Sequence, residues 1–305
     1  MRFKLVGIGE VLWDLLPGGR QMGGAPANFA YHAAALGAEA RVVSRVGRDK
    51  TGHELIRRLE QLGVPTCCIE EDPIVPTGTV NVVVAADGQP QFTIQENVAW
   101  DFISGEGAGR LAVAAADAVC FGTLAQRSET SRRTVRALLQ TMQPDSLRIL
   151  DVNLRQNFYS REIIEDSLAL ANVLKVNETE LSCLAEMFAL AGDERAQVAA
   201  LARRFNLHVI ALTRGSRGSL LHSGDEWSEI FGEATRVVDA VGAGDSFTAA
   251  LTLGLLAGRP LDEVNRRASE VAAYVCSQPG ATPALPPALC APFQTVRSAA
   301  WTAQL

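Results

Sequence analysis

Short apolar runs with the length and composition of buried strands recur along this chain, each separated from the next by a stretch with helical spacing. That alternation constrains the fold more than any other feature. The runs fall at 3–8, 40–46, 116–122, 147–152, 173–177 and 209–213, and the helix-like stretches at 27–36, 52–62, 128–140, 178–191, 197–205, 244–257 and 263–276. Strand, helix and strand in succession predict parallel strands joined by right-handed crossovers. The expected class is α/β, a doubly wound, mostly parallel sheet with helices on both faces. Ligands in such a fold bind beyond the carboxyl ends of the strands, so site residues are expected just after a strand.

One region breaks the alternation. Segments 77–85 and 89–95 are strand-like and are joined by Ala86-Asp87-Gly88, a hairpin signal. With 10–16 they predict a small β-sheet standing off the main body, a lid or dimerisation element rather than a second domain. An antiparallel edge of the main sheet is the other reading. The proline-rich stretch 278–287 reads as an irregular loop.

The chain has 305 residues, 48% of them hydrophobic and 20% charged, enough for a substantial core in one large domain or two ordinary ones. A net charge of -6 with no basic stretch argues against a nucleic-acid partner. Six scattered cysteines, with no C-x-x-C pair, suggest neither zinc nor a disulfide framework and fit a reducing cytoplasm. No run approaches the roughly 18 apolar residues of a membrane span, and residues 1–7 do not resemble a leader.

Four segments follow strands or open helices and carry groups suited to chemistry. In Asp239-Ala240-Val241-Gly242-Ala243-Gly244-Asp245, small residues precede a helix whose unpaired amides and dipole make an anion hole, and Asp245 is placed to take a proton from an acceptor hydroxyl. Such a pairing of anion hole and carboxylate suits phosphoryl transfer. The plainer reading is a helix cap on a tight turn. Gly23-Gly24-Ala25-Pro26-Ala27-Asn28 admits close approach by a ligand, and the Asn28 amide suits sugar hydroxyls; an ordinary helix start with Asn28 turned inward is the alternative.

Asn177-Glu178-Thr179-Glu180 puts an amide and a carboxylate on one face of a helix's first turn, where they could hold the waters of a magnesium ion, or form a capping box. Thr213-Arg214-Gly215-Ser216-Arg217-Gly218 offers a hydroxyl, glycine amides and two arginines to the outer phosphates of a nucleotide, or is a plain hairpin turn. Asp14 could accept from sugar hydroxyls, and Asp151-Val152-Asn153-Leu154-Arg155 ends another strand with Arg155 as a cation near the transferring phosphate. Solvated loop charges are the alternative for both.

Taken together and in this order, Gly23-Gly24-x-x-x-Asn28, Asn177-x-x-Glu180, Thr213-x-Gly215-x-x-Gly218 and Asp239-x-x-Gly242-Ala243-Gly244-Asp245 closely resemble the ribokinase (pfkB-type) family of carbohydrate kinases, over essentially the whole chain. The resemblance implies one ribokinase-like kinase domain, 1–305, with lid segments at about 10–21 and 75–98. It implies Asp245 as catalytic base, with Gly242, Ala243 and Gly244 holding the phosphoryl group in transit. Asn177 and Glu180 would organise Mg2+ and phosphate through water, and Thr213, Gly215 and Gly218 would meet ATP. Asp14, Gly24, Asn28, Asn153 and Arg155 would serve the sugar, and Asp239 and the Val241 carbonyl a K+ ion beside the loop at Gly280. The lid could pair two copies in a homodimer.

The form Gly24-Ala25-Pro26-Ala27-Asn28, where ribokinases proper carry Gly-Gly-Lys-Gly-Ala-Asn, looks like fructokinases, and Asp151-x-Asn153-x-Arg155 points the same way. Ala240 stands where Thr or Ser is more frequent, which weakens the potassium assignment. Fructose is therefore the expected acceptor, ahead of 2-keto-3-deoxygluconate, ribose or a nucleoside. Rival readings lack their residues: Gly7-Ile8-Gly9 has Leu12 where a dinucleotide fingerprint needs glycine, and none of Lys4, Lys50 and Lys175 stands in a P-loop. Protein-kinase signatures are absent. From another class, a binding regulator that kept the fold and lost the chemistry is the remaining alternative.

Overall fold

The computed structural model describes residues 2–16, 18–84, 90–232 and 236–293. The chain opens with β1 (Lys4–Ile8), β2 (Leu12–Leu16), β3 (Gly19–Gly23), α1 (Ala25–Ala35), β4 (Glu39–Gly47) and α2 (Lys50–Gln61). It continues through β5 (Ile69–Asp72), β6 (Gly78–Val84), β7 (Pro90–Ile94), α3 (Ala108–Ala114), β8 (Ala118–Phe121), α4 (Glu129–Leu139), β9 (Leu147–Asp151) and α5 (Arg161–Leu170). The remaining elements are β10 (Val173–Asn177), α6 (Glu178–Phe188), α7 (Glu194–Phe205), β11 (Val209–Thr213), β12 (Ser219–Ser223), β13 (Glu226–Ile230), α8 (Ala243–Leu256), α9 (Leu261–Cys276) and α10 (Pro287–Cys290).

Nine strands form one sheet in the order β13-β12-β11-β10-β9-β8-β1-β4-β5. It is parallel from β5 to β11 and antiparallel only where β12 and β13 close its far edge. The strand order reverses between β1 and β8, the switch point at which a crevice opens past the strand ends. Alternate strand residues feed two apolar layers. Val6, Leu150, Leu174 and Ile210 belong to one, and Leu5, Ile149, Val173 and Val209 to the other. A sheet buried on both faces reads as continuous apolar runs, which is why the strands were conspicuous in the sequence.

Helix starts follow local chemistry. Asp49 Oδ1 accepts from the Gly52 amide at 2.7 Å to cap α2, and Ser160 Oγ accepts from the Ile163 amide at 3.2 Å to cap α5. Helix α8 is buried without a break from Ser246 through Leu255, and it packs on α9 with Gly254 letting Val264 approach closely.

The second sheet is separate, in the order β3-β2-β6-β7, so the hairpin is not an edge of the main sheet. Strand β2 pairs with β6 in parallel, Asp14 opposite Val80, and β3 was absent from the sequence reading. The turn 86–88 lies outside the described residues. Trp13 Nε1 donates to the Thr51 carbonyl at 3.0 Å, and Arg20 stacks over Trp13 and pairs with Glu54, joining this sheet to α2.

Candidate active site

The start of α8 is built around a glycine that no other residue replaces cheaply. Gly242 sits at φ 79, and a Cβ there would collide with the Ala281 carbonyl. The Ala243 amide leans on the Ala240 carbonyl at 3.4 Å, and first-turn amides of a helix lack intrahelical partners. Asp239 ties this turn to the loop after α9, its Oδ1 accepting from the Val241 amide and its Oδ2 from the Gly280 amide, both at 3.0 Å. From the other side His32 Nε2 lies 2.9 Å from the Ala281 carbonyl, and Tyr31 donates to the Pro283 carbonyl at 2.9 Å. Burial holds His32 down at about 4, so its ring is neutral at physiological pH.

Three residues into α8, Asp245 receives a hydrogen bond from Asn28 Nδ2 at 2.8 Å. Asn28 stands one turn into α1, which is capped by Gly24, whose φ of 112 lets its backbone lie against the Glu10 carbonyl. Asp245 keeps some exposed surface, yet the surrounding protein pushes its carboxyl up to about 6, chiefly by burial and then by the Asp151 charge. The Asn28 hydrogen bond and the charges of Lys175 and Arg155 pull it back.

Asp245 lines a cleft together with Glu10, Cys120, Asp151, Asn153 and Thr248. Asn153 reaches it with a left-handed backbone, φ 45. Asp14, partly buried on β2 beside Gly23, is pushed up to about 6 by burial against the opposing pull of Arg155. Arg155 is exposed, donates to the Leu154 carbonyl at 3.1 Å, and its charge acts on Glu10, Asp14 and Asp245 alike. Of the predicted residues, Asn153 and Asp245 line this cleft, Asn28 bonds to Asp245 from the helix that Gly24 caps, and Arg155 bears on Asp14 and Asp245 through its charge.

The capping box, the alternative reading of Asn177 and Glu180, is present at the start of α6. Asn177 Oδ1 accepts from the Glu180 amide at 2.9 Å, and Glu180 Oε2 accepts from the Asn177 amide at 2.8 Å. The other Glu180 oxygen accepts from the Leu154 amide at 3.2 Å, linking this turn to the Asn153 segment. Each oxygen keeps a second lone pair, so capping does not preclude contact with a hydrated ion. Among the described residues no group of three or more His, Cys, Asp or Glu side chains is placed to hold a metal ion.

Thr213 ends β11 opposite Asn177 in the register, and its hydroxyl points to the Val176 carbonyl at 3.4 Å. Gly215 and Gly218 form the turn into antiparallel β12, Gly215 facing open space and Gly218 packed against the Ile230 carbonyl. They do not line the cleft around Asp245. The two arginines expected to face phosphate have carboxylate partners instead. Arg214, 7% exposed, donates to Glu229 at 2.8 Å, and Arg217 pairs with Glu178 and Glu194.

Three contributors escaped the sequence reading. Glu10 is buried at the cleft, accepts from the Ala25 amide at 3.3 Å, and is pushed up to about 7 by burial. Lys175 donates to Asp151 at 3.1 Å in the sheet interior, and Thr248 stands 3.1 Å from the other Asp151 oxygen. The signal for Lys175 was a lone charge inside the apolar run Val173-Leu174-Lys175-Val176.

This fold and site meet in one class of protein, the carbohydrate kinases. The family model described as pfkB family carbohydrate kinase matches residues 18–288, and the chain belongs to that family, phosphotransferases with a hydroxyl acceptor. It is 28% identical to an uncharacterized sugar kinase from Pyrococcus horikoshii, covering 91% of this chain and 93% of that one with a TM-score of 0.78. It is 29% identical to a fructokinase of Klebsiella pneumoniae over 94% of this chain and 97% of the relative. A fructokinase of Xylella fastidiosa with bound ATP shares the fold at a TM-score of 0.80 and 22% identity. Among the described residues no helix is long and apolar enough to cross a membrane.

Proposed function

We propose that this sugar kinase transfers the γ-phosphoryl group of ATP to the primary hydroxyl of fructose. The observation that carries the reading is Asp245, oriented by Asn28 at 2.8 Å and seated in the first turn of α8. Held at about 6, its carboxylate is ionised at neutral pH and takes the proton as the hydroxyl attacks. The amides of Gly242, Ala243 and Gly244 face the charge that builds on the phosphoryl oxygens. Asp14, Gly24, Asn28 and Asn153 orient the sugar, and Thr213, Gly215 and Gly218 receive the nucleotide.

Asn177 and Glu180 would hold the hydration shell of a magnesium ion, which supplies charge neutralisation on the phosphates when bound. Asp239 and the Val241 carbonyl would flank a potassium ion; both Asp239 oxygens already accept backbone amides, so the loop is organised through that carboxylate as well. ATP is supported by an ATP complex of the Pyrococcus horikoshii relative, and fructose by relatives named fructokinase. We further read residues 1–305 as one kinase domain whose small sheet, segments 10–21 and 75–98, closes over the sugar and could pair two copies, in the cytoplasm.

One observation favours an acidic sugar instead. Arg155 is an exposed guanidinium without a carboxylate partner among the described residues, at the rim where the sugar would sit. A panel of fructose, 2-keto-3-deoxygluconate, ribose and adenosine with ATP and magnesium, followed by ADP release, separates these readings. Highest kcat/KM on fructose supports the proposal, preference for the acid assigns Arg155 to its carboxylate, and no turnover on any acceptor returns the binding-regulator reading.

A further inference from the structure

We infer that Lys175 is a positioning residue of the phosphoryl-transfer site, its ammonium clamped by Asp151 beneath Gly244 so that it fixes the start of α8 from inside and lends that turn positive charge. The inference rests on the reading of the turn as the anion hole. Lys175 lies in the middle of β10 in register with Asp151 of β9, on the side of the strand that carries Val173 into the apolar layer. It is 7% exposed, and its Nζ donates to Asp151 Oδ1 at 3.1 Å. A Cβ on Gly244 would stand 2.9 Å from that Nζ, so the backbone of the turn rests on the ammonium. Thr248 completes a circuit, its hydroxyl 3.1 Å from Asp151 Oδ2 and 2.9 Å from the Gly244 carbonyl.

Stability alone does not explain this pair. Two charges taken out of water lose solvation that their attraction only partly returns, and apolar side chains of similar volume often serve a fold as well or better. The location gives the reason. Lys175 faces Asp151, Glu180 and Asp245, and their charges outweigh burial, so it stays protonated. Asp245 in turn faces Asp151, Asn28, Lys175 and Arg155, with Glu10 and Cys120 within electrostatic reach. A fixed cation a few ångströms behind the amides acts on developing phosphoryl charge without reorganising during the reaction.

Two measurements test this. In the double variant Asp151→Asn/Lys175→Met both members of the ion pair leave together, so neither is buried without the other and the protein should fold, with KM for ATP and sugar near wild type and kcat lower by about 10²-fold, the lower range for loss of an anion-hole donor. Wild-type kcat in the folded variant, or a change confined to KM, overturns the inference. Absence of turnover by the wild type on every acceptor strikes the underlying kinase-site reading instead. The second measurement needs no variant and no turnover. The chain has three lysines, Lys4, Lys50 and Lys175. With 13C-labelled lysine, adding aluminium fluoride to the magnesium–ADP complex should move the Lys175 Cε resonance and leave the other two in place. An unmoved Lys175 resonance, with the nucleotide shown to be bound, overturns it.

Discussion

Asn28 and Asp245 meet at 2.8 Å although 217 residues separate them, so the first helix of the chain sets the orientation of the carboxylate on the eighth. The contact leaves one Asp245 oxygen aimed by a neutral donor, an arrangement that orients a base while stabilising its ionised form only modestly.

Replacing Asp245 by Asn keeps the shape and removes the proposed proton acceptor. Turnover should fall by at least ~10²-fold, the usual loss for a general base, with nucleotide affinity by calorimetry nearly unchanged. A variant with near-normal ADP production would place the base elsewhere.

Asn28→Ala removes the hydrogen bond that lowers the Asp245 pKa, so that pKa should rise from about 6. A base acts when ionised, so under the proposed role of Asp245 activity is lost as pH falls through its pKa, and the acid limb of kcat/KM should move to higher pH. An unmoved limb would assign it to another group.

Gly242→Ala forces an L side chain into φ 79 and against the Ala281 carbonyl. Strain of this kind costs about 1–3 kcal/mol before the collision is relieved. Denaturant unfolding should show the loss, and a variant as stable as wild type would refute the packing described for the 281 loop.

Glu10 has a folded-state pKa of about 7 against an ordinary 4.5, so above 4.5 the unfolded chain releases its proton while the folded one retains it. Stability contributed by this group is present below 4.5 and lost as pH rises to about 7. Glu10→Gln keeps an acceptor for the Ala25 amide without the charge, and should raise stability at pH 8 by up to on the order of 3 kcal/mol, with little change at pH 4. Equal effects at both pH values would contradict the buried-acid description.

Sugar should draw the small sheet over the cleft and exclude water, limiting ATP hydrolysis. Slower hydrogen exchange in β2 and β6 with fructose present is the expected sign, and unchanged exchange at saturating sugar would argue against a moving lid.

The main sheet was legible because strands buried on both faces write their pattern as uninterrupted apolar runs, and α8 because small and apolar residues dominate it after Asp245. Strands β3 and β5 were not, since Gly19–Gly23 and Ile69–Asp72 are short and largely polar, so pairing rather than propensity makes them strands. Asp245 and Asn28 were legible as polar residues at glycine-marked helix starts. Glu10 and Lys175 were hidden because their importance lies in what surrounds them in space. The arginines at 214 and 217 misled for the same reason, as their carboxylate partners on β13, α6 and α7 lie well away in sequence.

The clamp on the 281 loop has a consequence in time. His32 to Ala281 and Tyr31 to Pro283 close loops of 249 and 252 residues at the very place where Gly242 is seated. Long closures expend chain entropy before any contact returns it, so they form late. On refolding, helical signal should therefore return first and phosphorylating activity last, leaving an interval in which the molecule is built but not yet an enzyme.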